Sequence, residues 1–488
     1  MSAISEPQAG LSRAPQVSPK VKAVLARLDR IDVWSMPFLF IGIIGLGFLF
    51  AFYDVFDINV SFIQTCVALK HGCTPANALT TLRVPIVLNL AGYVVGALAL
   101  APISDRIGRR NMLLFTMLIT GVGALYSALA PDYTNFVLSR VLTGIGVGAD
   151  LAIVNTYVGE VAPRRNRSRW ISMIFIMSAL GALLGIWLGL FLTTAPAPWP
   201  NGLSFAQASP TFTNGWRWMY AIGALLALVG IVLRVRLPES PRWLLGQGRV
   251  DEADEVVSGM EAIAAKHGPL APVSEDVPVD IPPQKRAPFT DVLGNRMYAC
   301  RVLQLLTVWF LAYVTVFAFS AGGTTILTSL KYPPPQAGLI IAVGAFGFLA
   351  CALFAVAFSE RLERKLWLPI GAVLTLIGGV IVAESGTDHL ASFIGMGIVF
   401  FGFNIWVPMT YTLSTESFPT RARATGFALV DGVGHLGGGI GVLLIAPLIP
   451  HMTPLGAFAL IGGFLVAAAI AAQFSVRTRG RHYEDISP

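Results

Sequence analysis

EVAPRRNR, residues 160–167, returns downstream as ESFPTRAR at 416–423. The two stretches share E-x-x-P-x-R-x-R in full. A second pair accompanies them, SDRIGRR at 104–110 and SERLERK at 359–365, displaced by nearly the same distance. Chance likeness between loops would not preserve a common offset, so the chain is built from two parallel repeats. Long apolar runs flank each motif. In a membrane protein such repeats are related by an axis along the membrane normal, and a solute path lies between them.

The composition fits that setting. Of 488 residues, 55% are hydrophobic and 12% charged, against about 25% charged in soluble domains. A spanning helix needs roughly 20 mainly apolar residues. Twelve such spans are expected near 37–66, 84–103, 112–130, 134–158, 169–194, 216–236, 300–329, 336–358, 367–384, 390–413, 422–449 and 454–476. The expected fold is therefore an all-α membrane protein, with twelve transmembrane helices in two six-helix bundles related by pseudo-two-fold symmetry. The bundles are 37–236 and 300–476. A polar, proline-rich linker with one short helix occupies 237–299, and polar tails occupy 1–36 and 477–488.

The net charge of +7 is less informative than its placement. DRIGRRN (105–111) and PRRNRSRW (163–170) are short basic clusters between spans. This is the positive-inside pattern, not a nucleic-acid patch. It puts both termini and the linker in the cytoplasm of a plasma (inner) membrane protein, and residues 193–218 outside. The first apolar stretch is longer than a signal-peptide core of about 7–15 residues, so no cleaved signal is expected. The four cysteines show no metal spacing. Cys66 and Cys73 flank an outer loop. A disulfide there is possible, and two free thiols are the expectation.

Charges inside the spans carry the functional reading. LFAFYDVFDINVSFI (49–63) sets Asp54 and Asp57 three residues apart within the first span. An ionised carboxylate at that depth costs at least about 2.5–3.5 kcal/mol. Two on one helical face repel each other. Burial and a like charge both favour the neutral acid, so one of the pair is expected to carry a proton. The alternative is a structural acid paired with arginine, for which Arg83 and Arg140 are candidates. Asp150 closes the glycine run GIGVGAD (144–150), where a neighbouring helix can approach closely. It is either a further proton site or the fixed partner of a basic residue. In LVDGVGHLGGGIG (429–441), Asp431 and His435 share a face at i and i+4. They would either bind an anionic solute or lock a glycine-rich helix. Gln304, Trp309, Tyr313, Asn404, Trp406 and Tyr411 complete the solute-binding candidates on spans 7 and 10.

APISDRIGRR (101–110) resembles the G-x-x-x-D-R-x-G-R-R motif of the major facilitator superfamily, with Ala101 in place of the first glycine. PESPRWLLGQGRVDEA (238–253) and RVLTGIGVGAD (140–150) resemble its sugar-porter-like branch. The resemblance spans nearly the whole apolar region and implies alternating access. It also implies a cytoplasmic latch of carboxylate–guanidinium pairs between the bundles. Carried over, that latch is Asp105, Arg106, Arg109, Arg110, Glu160 and Arg164, with Glu360, Arg361, Glu416 and Arg421 in the second half. Asp54, Asp57 and Asp150 are similar to acids of phosphate/proton symporters, but Tyr313 stands where those carry a further acid, which argues against phosphate. Hexose porters carry a glutamine in helix 5 and a glutamine pair in helix 7. Here ISMIFIMSALGALLG (171–185) has none and span 7 has Gln304 alone, which argues against hexose. Aromatic acid/proton symporters remain open.

No Ser-His-Asp spacing, metal cluster or phosphate-binding glycine loop is present, which excludes the obvious enzyme classes. The expectation is a secondary transporter, monomeric and without cofactor, that moves a small polar solute by proton symport, with an organic acid or other anion favoured. Its partners are the solute, protons and the lipid bilayer. A sugar or polyol transporter, a proton-driven exporter and a non-transporting sensor of the same fold are the alternatives.

Overall fold

The computed structural model describes residues 18–100, 102–163, 167–273, 288–419, 422–479 and 486. Among them twelve helices are long and apolar enough to cross a membrane: Leu39–Leu69, Ala78–Leu100, Arg109–Leu129, Tyr133–Val161, Arg169–Thr193, Gly215–Arg234, Arg296–Ser320, Pro334–Phe358, Arg364–Glu384, His389–Glu416, Thr425–Ile445 and Pro454–Ala472. They are numbered here as spans 1 to 12. Without water to bond the backbone, an apolar segment must satisfy its own amides, and a helix does so. The ends are set by polar caps. Asp132, Asp388 and Thr453 accept from the amides of Asn135, Ala391 and Gly456 at the starts of spans 4, 10 and 12.

Two boundaries differ from expectation in an informative way. Span 2 starts at Ala78 and runs through Pro85. Span 7 stops at Ser320, and Gly323–Ser329 forms a separate short helix. The reason lies in span 1, where the buried Asn59 amide donates to Phe319 O and Ser320 O at 2.8 and 2.7 Å. Its Oδ1 accepts from Thr324 N and Oγ1 at 2.9 and 2.8 Å. One asparagine thus takes up the backbone groups that the break in span 7 leaves open.

Span 4 is the most enclosed of the first half, 78% buried, and spans 10 and 11 of the second, 67% each, whereas span 6 is 33% buried. The former line the interior and the latter turns Leu225, Leu228 and Val232 outward. The halves meet along two seams, span 2 against span 11 and span 5 against span 8. Within the first half, glycines bring spans 2 and 4 together. A Cβ at Gly144 would strike Asn89 O, and one at Gly148 would strike Tyr93 O. Gly144→Ala is therefore expected to cost about 1–3 kcal/mol through overpacking, read as a lower melting temperature of the purified protein. Gly463→Ala, whose Cβ meets open space, should melt like the parent.

Spans 2 and 11 each contain a short wide-turn (π) segment, Gly96–Leu100 and Ala428–Gly432. The two segments touch each other. Cys66 and Cys73 form a disulfide, Cα–Cα 5.9 Å, which corrects the free-thiol expectation. Span 1 ends at Leu69, and the turn after it, with Cys73 N donating to Lys70 O, folds Cys73 back beside Cys66. Outside the spans, the helix Pro19–Asp29 lies on the helix Val250–Ala264. Arg27 and Arg30 bond Glu261 at 2.6 and 2.7 Å, Arg27 also pairs with Asp254, and Arg242 reaches Asp29 at 2.5 Å. Burial alone would raise the Glu261 pKa, but the bonds from the two arginines outweigh it and hold the group below the usual glutamate range.

Candidate functional site

Asp54 faces span 4. The Arg140 guanidinium holds it with both arms, at 2.7 and 2.9 Å, and also donates to Asp54 O at 2.8 Å. Both groups are buried. Arg140, not Arg83, is thus the partner. Asp57 lies one turn on, equally buried, and shares the field of Arg140. Among the described residues nothing bonds its Oδ1. The formal charges of Arg140, Asp54 and Asp57 leave this cluster with a surplus negative charge. Arg140 and Asn89 also line a cavity of about 10 Å³ with Val55, Ile58, Pro85, Ile86, Phe317 and Ala321. That is room for about one water, and it lies where spans 1, 2 and 4 meet span 7.

Asp150 is placed differently. Arg234 grips it with both arms, NH2 to Oδ2 at 3.0 Å, and Thr116 donates to Oδ1 at 2.9 Å. The fixed-partner reading fits this geometry better than the proton-site reading. Gly47 on span 1 lets the pair sit against the helix, because a Cβ there would strike both Asp150 and Arg234.

In the second half, Trp309 is the centre of an aromatic cluster. Its ring lies 5.0, 5.2 and 5.3 Å from Tyr313, Tyr411 and Trp406. Tyr313 lies 3.9 Å from the His435 ring at a tilt, and His435 stacks on Tyr93 of the first half at 3.7 Å. Asp431 accepts from Tyr313 at 2.5 Å and from Tyr93 at 3.2 Å. Further rings, Phe52, Phe56 and Phe175, meet Phe348 across the same interface. The structure does not bring Gln304 to this group. Its amide is spent on Ala471 O and Ser475 Oγ at the end of span 12. Asn404 donates back to Phe400 O in its own helix.

Among the described residues, the ion pairs of the expected latch residues form within each half. Arg109 bonds Glu160 at 3.0 Å and Ser104 O at 2.9 Å. Arg364 bonds Glu360 at 2.9 Å and Ser359 O at 3.2 Å, with Glu416 at 3.8 Å. These are equivalent clusters, one inside each half, and they brace the loops after spans 2 and 8. Glu239 completes the first by accepting from the Arg109 and Arg110 amides, at 2.9 and 3.3 Å. Gly108 holds φ 98°, which residues with side chains avoid, and a Cβ there would strike Glu239. Arg106 is exposed and Arg361 lies over the Phe358 ring. The Asp105 side chain, Arg164 and Arg421 lie outside the described residues.

Reading the sequence missed Glu239, Arg234, Asn59, Asn89 and Tyr93. Glu239 was legible within the quoted PESPRW. The other four were single polar residues in apolar runs, or at their ends, with no local pattern to mark them.

Comparison with known proteins agrees with this architecture. The sequence profile of the family described as sugar (and other) transporter matches residues 38–488. The niacin transporter NiaP of Acinetobacter baylyi is 26% identical over 88% of this chain and 90% of its own length. A D-xylose transporter of Levilactobacillus brevis is 29% identical, over 81% and 84%. The 4-hydroxybenzoate transporter PcaK of Pseudomonas putida is 27% identical, over 82% and 84%. A solved structure of the proton:xylose symporter XylE superposes with a TM-score of 0.68 at 19% identity, covering 95% of this chain and 98% of that one. That last likeness is one of fold.

Proposed function

We propose, since the chain belongs to the sugar (and other) transporter family of the major facilitator superfamily, that this membrane transporter takes up a small organic acid together with protons. The observation that carries the reading is the buried Asp54–Arg140 pair, whose arginine lines the interface cavity, beside an Asp57 oxygen that no described residue bonds. With Asp57 ionised, the surplus negative charge repels an anion. A proton on Asp57 removes that repulsion and leaves Arg140 able to turn one arm to a solute carboxylate. Uptake of proton and anion is thereby linked. One proton moved down one pH unit supplies about 1.4 kcal/mol.

The aromatic wall of Trp309, Tyr313, Tyr411, Trp406 and Tyr93 favours a flat solute ring. Relatives that carry niacin and 4-hydroxybenzoate support the same class. A pentose or polyol is the second reading, favoured by the D-xylose relative. The commitment of the Gln304 amide to Ala471 and Ser475 weighs against it.

On this reading the protein works as a monomer in the plasma (inner) membrane. Bundles 37–236 and 300–476 rock about the site, with 237–299 and both termini in the cytoplasm. The Cys66–Cys73 bond then faces the oxidising side, where disulfides persist.

Binding to the folded state raises its stability by RT ln(1 + [L]/Kd), so a melting screen of the purified protein separates the readings. Aromatic carboxylates at about 100 times Kd should stabilise it by about 2.7 kcal/mol. Stabilisation by pentoses, with none by aromatic carboxylates, would move the assignment to sugars.

A further inference from the structure

Four aspartates, Asp54, Asp57, Asp150 and Asp431, are buried within the spans, and they differ in their neighbours. Asp54 and Asp150 each face an arginine within ion-pair distance, and Asp57 shares the field of the same Arg140. Asp431 does neither. Among the described residues, its carboxylate meets two tyrosine hydroxyls, Tyr313 at 2.5 Å and Tyr93 at 3.2 Å, and the His435 ring at 3.9 Å. The acid sits on span 11, Tyr313 on span 7, and Tyr93 on span 2 of the opposite half. Tyr411 of span 10 and, beyond Tyr93, Asp150 of span 4 are the other titratable groups facing this cluster. None of these groups is a permanent cation.

A buried carboxylate without a cation is costly, yet this one can exist in two forms without leaving a polar group unbonded. Ionised, it accepts from both tyrosines. Protonated, it donates to one hydroxyl and accepts from the other, because a phenol is both donor and acceptor. His435 packs between the two tyrosines. Its Nδ1 lies 2.7 Å from Asp431 O, and its ring stacks on Tyr93 at 3.7 Å and meets the tilted Tyr313 ring at 3.9 Å. A backbone carbonyl only accepts, so Nδ1 carries a hydrogen.

The backbone here is also unusual. Asp431 lies in the wide-turn segment Ala428–Gly432, which touches its counterpart Gly96–Leu100 in span 2. Gly432 faces Ala97 so closely that a Cβ there would come within 2.9 Å. Such segments are frequent at functional sites. Here two meet at the contact that must open if the halves rock.

We propose that Asp431 is a second proton-carrying group of the transporter, in the opposite bundle from Asp54 and Asp57, and that the Tyr93–Asp431 hydrogen bond ties its proton to closure of the span 2–span 11 seam. Tyr93 and Tyr313 are positioning residues. The acid takes a proton from water on one side of the membrane and releases it to water on the other. This rests on the proton-symport reading and adds a consequence to it. A monoanion carried with one proton moves no net charge. With two protons it moves one charge, and the membrane potential then drives uptake.

The test uses the full chain in proteoliposomes, with the aromatic carboxylate that stabilises it best, under a pH gradient and a potassium-diffusion potential set independently. Uptake by the parent protein should respond to both. Asp431→Asn should keep the response to pH and lose the response to potential, with the proton-to-solute ratio at reversal falling by one. An unchanged ratio in Asp431→Asn overturns the proposal. Infrared difference spectra after a pH jump give a readout independent of flux. A carboxylic-acid carbonyl band should vanish in Asp431→Asn, persist in Asp54→Asn and shift in Tyr93→Phe. No band lost in Asp431→Asn overturns the proposal as well. If the parent shows no proton-dependent flux but the band is present and lost as described, the symport reading fails while the proton site at Asp431 stands.

Discussion

Arg140→Leu is expected to cost the folded protein about 3–5 kcal/mol, the effect of leaving one member of a buried ion pair uncompensated. The loss falls on Asp54, whose two oxygens and backbone carbonyl all depend on that guanidinium. Asp57 loses the same compensating charge. Asp54→Leu alone should be comparably damaging, since Arg140 would then lack its bonded partner. The double variant Asp54→Leu/Arg140→Leu should recover most of the stability, because well-packed apolar residues in place of a buried pair are often neutral or better. Thermal unfolding of the four purified proteins gives the coupling directly. Additive losses would mean that the pair contributes nothing as a pair. None of the three variants should accumulate solute, so stability and transport separate in the double variant.

Asp57→Asn should leave a folded protein that exchanges solute but no longer concentrates it. Asparagine keeps the shape and removes the titration. Exchange needs only that the loaded site open to either side, whereas uphill uptake needs a proton to bind and leave in each cycle. The expected loss is therefore nearly complete for uptake against a gradient and small for counterflow. If Asp57 were a structural acid held by Arg140, its replacement would destabilise the protein and depress both measurements alike. Uphill uptake that survives Asp57→Asn with its pH dependence intact would exclude Asp57 as the carrier.

The repeats and the apolar runs together carried the architecture. EVAPRRNR and ESFPTRAR predict two like halves, and the structure sets Arg109 by Glu160 and Ser104 O in one and Arg364 by Glu416 and Ser359 O in the other. The acids of span 1 were legible because a carboxylate in an apolar run is costly wherever it points. Their partner was not. Arg83 and Arg140 are equally plausible by composition, and only the packing of span 4 on span 1 chooses between them. Arg234 was hidden for another reason. It stands at the end of span 6, where a basic residue reads as a membrane-edge charge, yet it turns inward to Asp150. Tyr93, an ordinary aromatic in an apolar run, gains meaning only from Asp431, far away in sequence. The latch motif marks the loop without saying which half each charge serves.

The helix Pro19–Asp29 is translated before span 1, and Val250–Ala264 after span 6. The ion pairs that join them, from Arg27, Arg30 and Arg242, need nothing from the second half of the chain. They fasten the beginning of the first six spans to their end. Chains are made from the N-terminus at about 5–20 residues per second, and early units fold first. The first half can therefore close on itself while span 7 is still in the ribosome. The later spans then insert beside a finished partner, and the order of biogenesis is written into a clasp that touches no solute at all.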